Sequence, residues 1–146
     1  MSSIIFHQED VFYRLKNVEK IKSWIISSAQ KENKKIDELN FIFCSDNYLH
    51  KINLEYLKHD TYTDIITFDY SAANVISGDI YISIDRIKEN AKKFKQTTEK
   101  ELLRVIIHGV LHLIGYKDKS PKEKSLMRAK EDAYLGFGEK GYLRKI

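Results

Sequence analysis

The sequence HGVLHLIGYKD, residues 108–118, closes a long apolar segment and organises the rest of the chain. Residues four apart on an α-helix are separated by about 40° around the axis and about 6 Å along it, so His108 and His112 lie on one face. Gly115 follows three residues later, where a helix can end in a left-handed residue and the chain can turn back. Asp118 could then supply a third ligand beside the two imidazoles, and the segment predicts a metal site.

The spacing of these three side chains is typical of a catalytic metal site rather than a structural one. Three protein ligands fill three corners of a tetrahedral Zn²⁺, and the fourth corner stays open for water. Metalloproteases with a similar layout carry Glu directly after the first His as the general base, and here that position is Gly109. Peptide hydrolysis is therefore disfavoured, and another class of substrate is expected.

The same segment resembles a known family, the YbeY single-strand-specific endoribonucleases of ribosomal RNA maturation. The family pattern His-Gly-x-Leu-His-Leu-x-Gly-Tyr-Asp-His is matched by His108, Gly109, Leu111, His112, Leu113, Gly115 and Tyr116. Lys117 stands in place of the Asp, and Asp118 stands in place of the third His ligand. An aspartate oxygen is a competent zinc ligand, although a carboxylate is harder than an imidazole and changes the preference among metals.

A second resemblance lies in residues 53–70. The family pattern has an Asn and an aromatic residue, which Asn53 and Tyr56 match. It continues with a run of Thr-Asp-hydrophobic-hydrophobic-Ser/Thr-Phe, which is matched by Thr63, Asp64, Ile65, Ile66, Thr67 and Phe68. The family usually has an Arg in its catalytic cleft where this chain has Leu57. Lys58 follows and offers a positive charge without the two-pronged phosphate contact of Arg, and Lys117 is another candidate for that role. Asp64 has two readings of equal weight, a turn leading into a strand or a group beside the cleft.

Basic residues are concentrated on the two segments that flank the expected metal site. Residues 86–104 carry seven Lys or Arg against three Glu, and residues 117–130 carry six against one Asp and one Glu. Each segment therefore has a balance of +4, although the whole chain has a net charge of only +4. The placement favours an enzyme that acts on a polyanion, and the alternative is a set of Lys-rich helix faces that are simply solvated.

Length and composition predict one domain, residues 1–146, with a sizeable core. Because no apolar run approaches a membrane span and the single cysteine, Cys44, fits a reducing compartment, we expect a cytoplasmic protein. Cys44 is expected to pack in a strand rather than act as a nucleophile. The remaining histidines have no local chelating partner and are expected on the surface: His7, His50 and His59.

Hydrophobic periodicity predicts an α+β fold in which a mixed sheet of about four strands packs against helices. The expected strands are 4–6, 39–44, 65–70 and 78–84, and the expected helices are 17–33, a short one from about 48 to 57, 86–95, 98–114 and 121–134. The helix of residues 98–114 is apolar around too much of its circumference to lie on the surface, so it is the central one. Residues 136–146 are expected to form a loose C-terminal tail.

Taken together, the resemblance implies a zinc-dependent endoribonuclease that acts on single-stranded RNA. We expect one Zn²⁺, or another divalent metal, held by the catalytic residues His108, His112 and Asp118. The residues expected to contact the substrate are Lys58, Asp64, Lys117 and Lys119. The implied role is 16S ribosomal RNA 3′-end maturation and ribosome quality control, with the small ribosomal subunit or its assembly factors as partners. The alternative is a non-catalytic ribosome-maturation factor in which the metal is structural, and Leu57 in place of Arg favours it.

Overall fold

The computed structural model describes residues 2–144 and contains nine helices and strands within that range. The strands are β1 (Ser3–Gln8), β2 (Lys35–Cys44), β3 (Ile65–Asp69) and β4 (Val75–Ser83). The helices are α1 (Val18–Lys31), α2 (Asp46–Leu57), α3 (Ile84–Lys93), α4 (Thr98–Ile114) and α5 (Pro121–Glu139). The expected α+β class is confirmed, and no helix among the described residues is both long and apolar enough to cross a membrane.

The four strands form one mixed sheet in the order β1-β2-β4-β3. β1 pairs with β2 and β2 with β4 in parallel, whereas β3 runs antiparallel to β4 and forms an edge of the sheet. Since side chains alternate between the two faces of a strand, neighbouring residues of β4 enter different layers. Ile80 and Ile82 belong to the large core, and Tyr81 packs against a smaller cluster beneath α2.

Helix α4 is the central helix, with the bounds that the sequence predicts. Thr97 caps its first turn by accepting a hydrogen bond from the backbone N–H of Lys100, and Gly115 ends it at a φ of +125°. Its packing neighbours are α1, α3, α5 and the sheet at β3 and β4. The two histidines therefore sit on a helix that is fixed on several sides.

The second, smaller layer lies between α2 and the sheet. It is built from Cys44, Leu49, Ile52 and Ile66. Cys44 is buried, as predicted, and burial raises the pKa of its thiol to about 12, so the thiol stays protonated. Residues of α2 and β3 line two surface clefts, one on each side of α2.

The C-terminal segment differs from the loose tail that the sequence predicts from residue 136. Helix α5 continues to Glu139, and Leu143 is buried in the large core. The Trp24 indole N–H donates to the carbonyl oxygen of Tyr134 at 2.9 Å and helps to fix α5 against α1. The glycines at 136 and 138 misled the prediction, because the Gly138 site is one where a side chain would collide with Trp24 and Leu143. Residues 145–146 lie outside the described residues.

Candidate metal centre and cleft

Three side chains converge at the C-terminal end of α4, as their spacing predicts. The Nε2 atoms of His108 and His112 are 3.0 Å apart, and each is 3.2 Å from Asp118 Oδ2. The three atoms therefore form a nearly equilateral triangle. All three residues are partly buried, so the triangle is reachable from solvent on one side.

The other ring nitrogen of each histidine is held by a hydrogen bond. His108 Nδ1 donates to Glu131 Oε2 at 2.6 Å, and His112 Nδ1 donates to the carbonyl oxygen of Tyr116 at 3.0 Å. A proton on Nδ1 leaves the lone pair on Nε2, and both lone pairs point into the triangle. Three electron-pair donors that face one another repel unless a cation lies between them.

These distances match what a zinc ion requires. A tetrahedral ion with Zn–N bonds of about 2.0–2.1 Å places its ligand atoms about 3.3 Å apart. The observed separations of 3.0–3.2 Å need only a small expansion to reach that value. The three residues could therefore hold a metal ion, and a fourth position would remain for water or substrate.

Glu131 is a buried carboxylate that supports this centre from α5. Its other oxygen accepts a hydrogen bond from Arg104 Nη1 at 2.8 Å, and Arg104 Nη2 donates to Asp132 Oδ1 at 2.7 Å. Burial alone would raise the pKa of Glu131, but the bonds from His108 and Arg104 outweigh it and hold the pKa below its usual value. Glu131 is therefore ionised and keeps the His108 ring in place.

The loop that carries Asp118 is fastened to two other helices. Tyr116 follows the turn at Gly115, and its hydroxyl donates to the carboxylate of Glu32 at 2.6 Å. The same carboxylate accepts hydrogen bonds from the Tyr134 hydroxyl and from Lys130 Nζ. Because the Tyr116 carbonyl also holds His112, this contact connects the end of α1 to a ligand of the metal centre.

A cleft of about 430 Å³ opens beside the triangle, between α2, β3 and the Asp118 loop. Asp64, Leu57 and Lys119 line it together with His108, His112, Asp118, Asn53, His59, Thr61, Thr63, Ile65, Ile66 and Thr67. Of the residues expected to contact substrate, Asp64 and Lys119 are therefore at the cleft, whereas Lys58 and Lys117 lie outside its walls. Lys58 ends α2 in a left-handed conformation with φ of 56°, and both lysines are exposed.

Asp64 lies beside the metal centre rather than only in a turn. Burial raises the pKa of its carboxyl group, and the nearby His108 opposes part of that rise. Its backbone carbonyl also accepts a hydrogen bond from the Ser83 N–H, which fixes the start of β3. The structure therefore supports both readings of Asp64 that the sequence left open.

Gly109 has a packing role. A Cβ atom at this position would lie 3.0 Å from the Ile65 Cδ1 atom and 3.1 Å from Ile80 Cγ2. A larger side chain such as Glu would crowd the side chains of Ile65 and Ile80. Gly109 thus allows α4 to pack closely on β3 and β4, and it provides no general base of the metalloprotease type.

Comparison with known proteins now decides the family. Residues 3–137 match the family described as Endoribonuclease YbeY. The chain belongs to the YbeY family. A protein named Endoribonuclease YbeY from Cytophaga hutchinsonii is 54% identical over 136 residues, which cover 92% of this chain and 95% of that protein. One of the same name from Christiangramia forsetii is 52% identical over 134 residues, with 92% and 93% covered.

A solved structure supports the same fold. The solution structure of a Thermotoga maritima protein superposes with a TM-score of 0.69 at 31% identity, and the match covers 93% of this chain and 89% of that one. The two proteins therefore share the arrangement of helices and strands over nearly their whole lengths.

Two departures from the YbeY pattern have clear positions in the structure. Asp118 stands where the YbeY pattern has its third histidine, and its Oδ2 completes the triangle. Leu57 lines the cleft where the pattern has Arg, and its side chain is 41% exposed. Among the described residues that line the cleft, Lys119 is the remaining cation.

The sequence argument missed several residues of this YbeY site. Glu131 could have been found, because its spacing places it on the same buried face of α5 as Met127 and Tyr134. A carboxylate on a buried face needs hydrogen-bonding partners. Glu32 gives no such signal, since it is far from the motif in sequence. His59 is exposed, as predicted, and nothing in the sequence indicated that the loop after α2 places it at the wall of the cleft.

Proposed function

We propose that this chain is a metal-dependent, single-strand-specific endoribonuclease that acts in ribosomal RNA processing, at the 16S RNA 3′ end, and in ribosome quality control. The relatives that share its length carry the name endoribonuclease. The observation that supports the proposal most directly is the triangle of two imidazole nitrogens and one carboxylate oxygen beside an open cleft. We propose a cytoplasmic location, where an enzyme that processes ribosomal RNA would meet its substrate.

Zinc is the metal that we propose for the centre. Two imidazoles and one carboxylate are a ligand set that zinc enzymes use, and the spacing of the three atoms suits a tetrahedral ion. Bound there, the metal would supply a positive charge to a phosphoryl oxygen and would lower the pKa of a water molecule. The carboxylate in place of a third imidazole also permits harder divalent metals.

The residues of the chain would bind and orient the RNA. Lys119 would contact a phosphate of the backbone from the rim of the cleft, and Lys58 and Lys117 would attract the strand from outside it. Asp64 would accept a hydrogen bond from a ribose hydroxyl or from an amino group of a base on the cleft floor. Glu131 would keep the His108 ring aimed at the centre throughout.

The test is a cleavage assay on labelled single-stranded RNA with purified protein. We expect cleavage that a chelator abolishes and that added zinc restores, and we expect none from His112→Ala. His50→Ala is the matched control, because His50 lies on α2, pairs with Asp60 and is not part of the triangle. Unchanged cleavage by His112→Ala would show that a contaminating nuclease is responsible and would overturn the proposal.

The second candidate is a non-catalytic ribosome-maturation factor with a structural metal. Leu57 favours it, because the cleft lacks the Arg that would stabilise charge on the phosphate. The two candidates separate in a cell that depends on this protein. If His112→Ala restores growth and ribosomal RNA processing as well as the wild type does, the catalytic proposal fails, and a non-catalytic role that does not depend on the metal remains.

A further inference from the structure

A second groove lies on the other side of α2 and is lined mainly by aromatic side chains. Its volume is about 440 Å³. Five aromatic residues form most of its wall: Tyr48, Tyr56, Phe68, Tyr70 and Tyr81. Tyr48, Phe68 and Tyr81 also pack against the small core beneath α2, whereas Tyr56 and Tyr70 are not part of that core and are largely exposed.

The rings are arranged with their faces available. Phe68 makes edge-to-face contacts with Tyr56 at 6.1 Å and with Tyr81 at 5.8 Å between ring centres. Tyr56 is 67% exposed and Tyr70 is 63% exposed. Because Tyr56 and Tyr70 are exposed over most of their surface, their side chains can receive a flat apolar group.

The tyrosine hydroxyls in the groove are also available. Within residues 2–144, no hydrogen bond joins a protein group to the hydroxyl of Tyr48, Tyr56, Tyr70 or Tyr81. Burial raises the pKa of Tyr48 and Tyr81, so their phenols stay neutral and can donate. A ligand with both a flat ring and hydrogen-bonding edges would use all of these features.

The charges in the groove favour a base over a phosphate. Lys51 lies 4.0 Å from Glu55, and Asp79 Oδ1 accepts a hydrogen bond from Asn40 Nδ2 at 3.1 Å. The one cation is therefore balanced, and the carboxylates would repel a phosphate. Carboxylate oxygens instead accept hydrogen bonds from the amino groups of bases, as Asp and Glu do with cytosine.

The groove and the cleft lie on the two sides of α2 and border each other at its C-terminal end. Along α2, Leu57 lines the cleft and the adjacent Tyr56 lines the groove. Along β3, the adjacent Thr67 and Phe68 point to opposite faces of the sheet, Thr67 toward the cleft and Phe68 toward the groove. Tyr56 is 67% exposed and Leu57 is 41% exposed, so one extended nucleic-acid strand could pass over this end of α2 from the cleft to the groove.

We propose that the aromatic groove holds an unpaired base of the RNA strand whose backbone lies in the metal-centre cleft, a few nucleotides from the reacting phosphate. The inference rests on the proposed ribonuclease function and adds a specificity site to it. Bases stack on aromatic side chains whatever their sequence, provided that they are unpaired. The groove would thus select single strands, because a base inside a duplex cannot enter it.

The experiment compares Tyr56→Ala and Tyr70→Ala, singly and together, with Tyr56→Phe, Tyr70→Phe and the wild type. Each protein is titrated into fluorescein-labelled single-stranded RNA in chelator, and KM and kcat are measured with zinc. Removal of one stacked aromatic is expected to weaken binding roughly fivefold to one-hundredfold. The loss should appear in KM with kcat little changed, and the Phe variants should stay close to the wild type.

Phe12→Ala is the matched control, because Phe12 is 92% exposed and lies outside the groove. Thermal unfolding of each variant checks the fold. RNA that lacks its base at the contacting position should bind the wild type as weakly as intact RNA binds the double Ala variant.

The possible outcomes distinguish a failure of the groove inference from a failure of the proposed ribonuclease function. If the wild type cleaves RNA and the double Ala variant keeps the same affinity and KM, the groove inference is wrong and the proposed function stands. If the variant binds RNA normally but no longer associates with ribosomal particles, the groove binds a protein and the inference is again wrong. If the wild type neither binds nor cleaves RNA, both proposals fail.

Discussion

At the scale of single residues, Glu131 has an unusual environment for a carboxylate in a core. It is only 5% exposed, yet it contacts a histidine on one oxygen and an arginine on the other. A buried charge is tolerated only when it is paired and hydrogen-bonded, and both conditions are met here. The pairing also gives the side chain a second effect, because it fixes the orientation of His108.

We predict that Glu131→Gln lowers the affinity for zinc about 10- to 100-fold, as is typical when the partner of a metal-bound histidine is removed. The amide cannot accept the His108 proton as strongly, so the ring is less basic and less well oriented. Competition with a chromophoric chelator measures the change. Asp132→Asn is the matched control, because Asp132 contacts Arg104 but not His108. Equal losses in the two variants would show that only general destabilisation was measured.

The sequence predicts part of this site at the residue scale. The positions of His108, His112 and Asp118 follow from helix geometry and a turn at glycine, which are local properties of the chain. Glu131 and Glu32 act through tertiary contacts over 23 and 84 residues. No local pattern specifies such a contact, so Glu32 could not have been found before the fold was known.

At the scale of elements, the Asp118 loop is held by α1 and α5 through Glu32. Glu32 is the residue that ends α1, and it accepts hydrogen bonds from Tyr116, Tyr134 and Lys130. Burial opposes ionisation of this carboxyl group, but the three donors outweigh it and lower its pKa. The charged form is therefore the one that stabilises the loop.

We predict that Glu32→Gln lowers the free energy of unfolding by about 1.5–3 kcal/mol near neutral pH, the usual contribution of hydrogen bonds to a charged group. The folded pKa lies below the ordinary value of 4.5, so the stabilisation is complete above pH 4.5 and is lost as the pH falls through the folded pKa. Urea unfolding at a series of pH values in chelator should therefore show the two proteins converging in acid.

Glu19→Gln is the matched control, since Glu19 lies on the same helix and forms only an exposed contact with Lys22. We expect almost no change in stability from it. A constant difference between Glu32→Gln and the wild type at every pH would contradict the role that we give to the charge.

The ends of the elements differ in how far the sequence predicts them. The start of α4 at Thr98 and the start of α5 at Pro121 are marked by capping residues that lie next to them. The start of β2 at Lys35 was missed by four residues, because Lys35, Asp37 and Glu38 are exposed and carry no apolar run. The end of α5 was missed because its last turn depends on contacts with Trp24 and Leu143.

At the scale of the whole molecule, β3 and α2 form a wall between two clefts. The order β1-β2-β4-β3 puts β3 at the edge of the sheet, beside α4. Residues of β3 therefore line the cleft at the candidate metal centre. The sequence predicts a mixed sheet of four strands, but not this order, because parallel pairing of β1 with β2 and of β2 with β4 depends on the helices that cross between them. The juxtaposition of the two clefts is therefore a property of the fold alone.

The whole molecule should fold without its metal, because the ligands come from one helix and the loop after it while the large core spans α1, α4, α5 and the sheet. A ligand that binds only the folded state adds about 2.7 kcal/mol of stability when its free concentration is 100 times the dissociation constant. We therefore predict a cooperative unfolding transition in chelator and a higher midpoint with zinc. The unfolding midpoint of His112→Ala should be close to that of the wild type in chelator and should not rise when zinc is added. Calorimetry of both proteins, in chelator and with zinc, measures these midpoints. A similar zinc-dependent rise in the variant would mean that the ion binds somewhere other than the triangle.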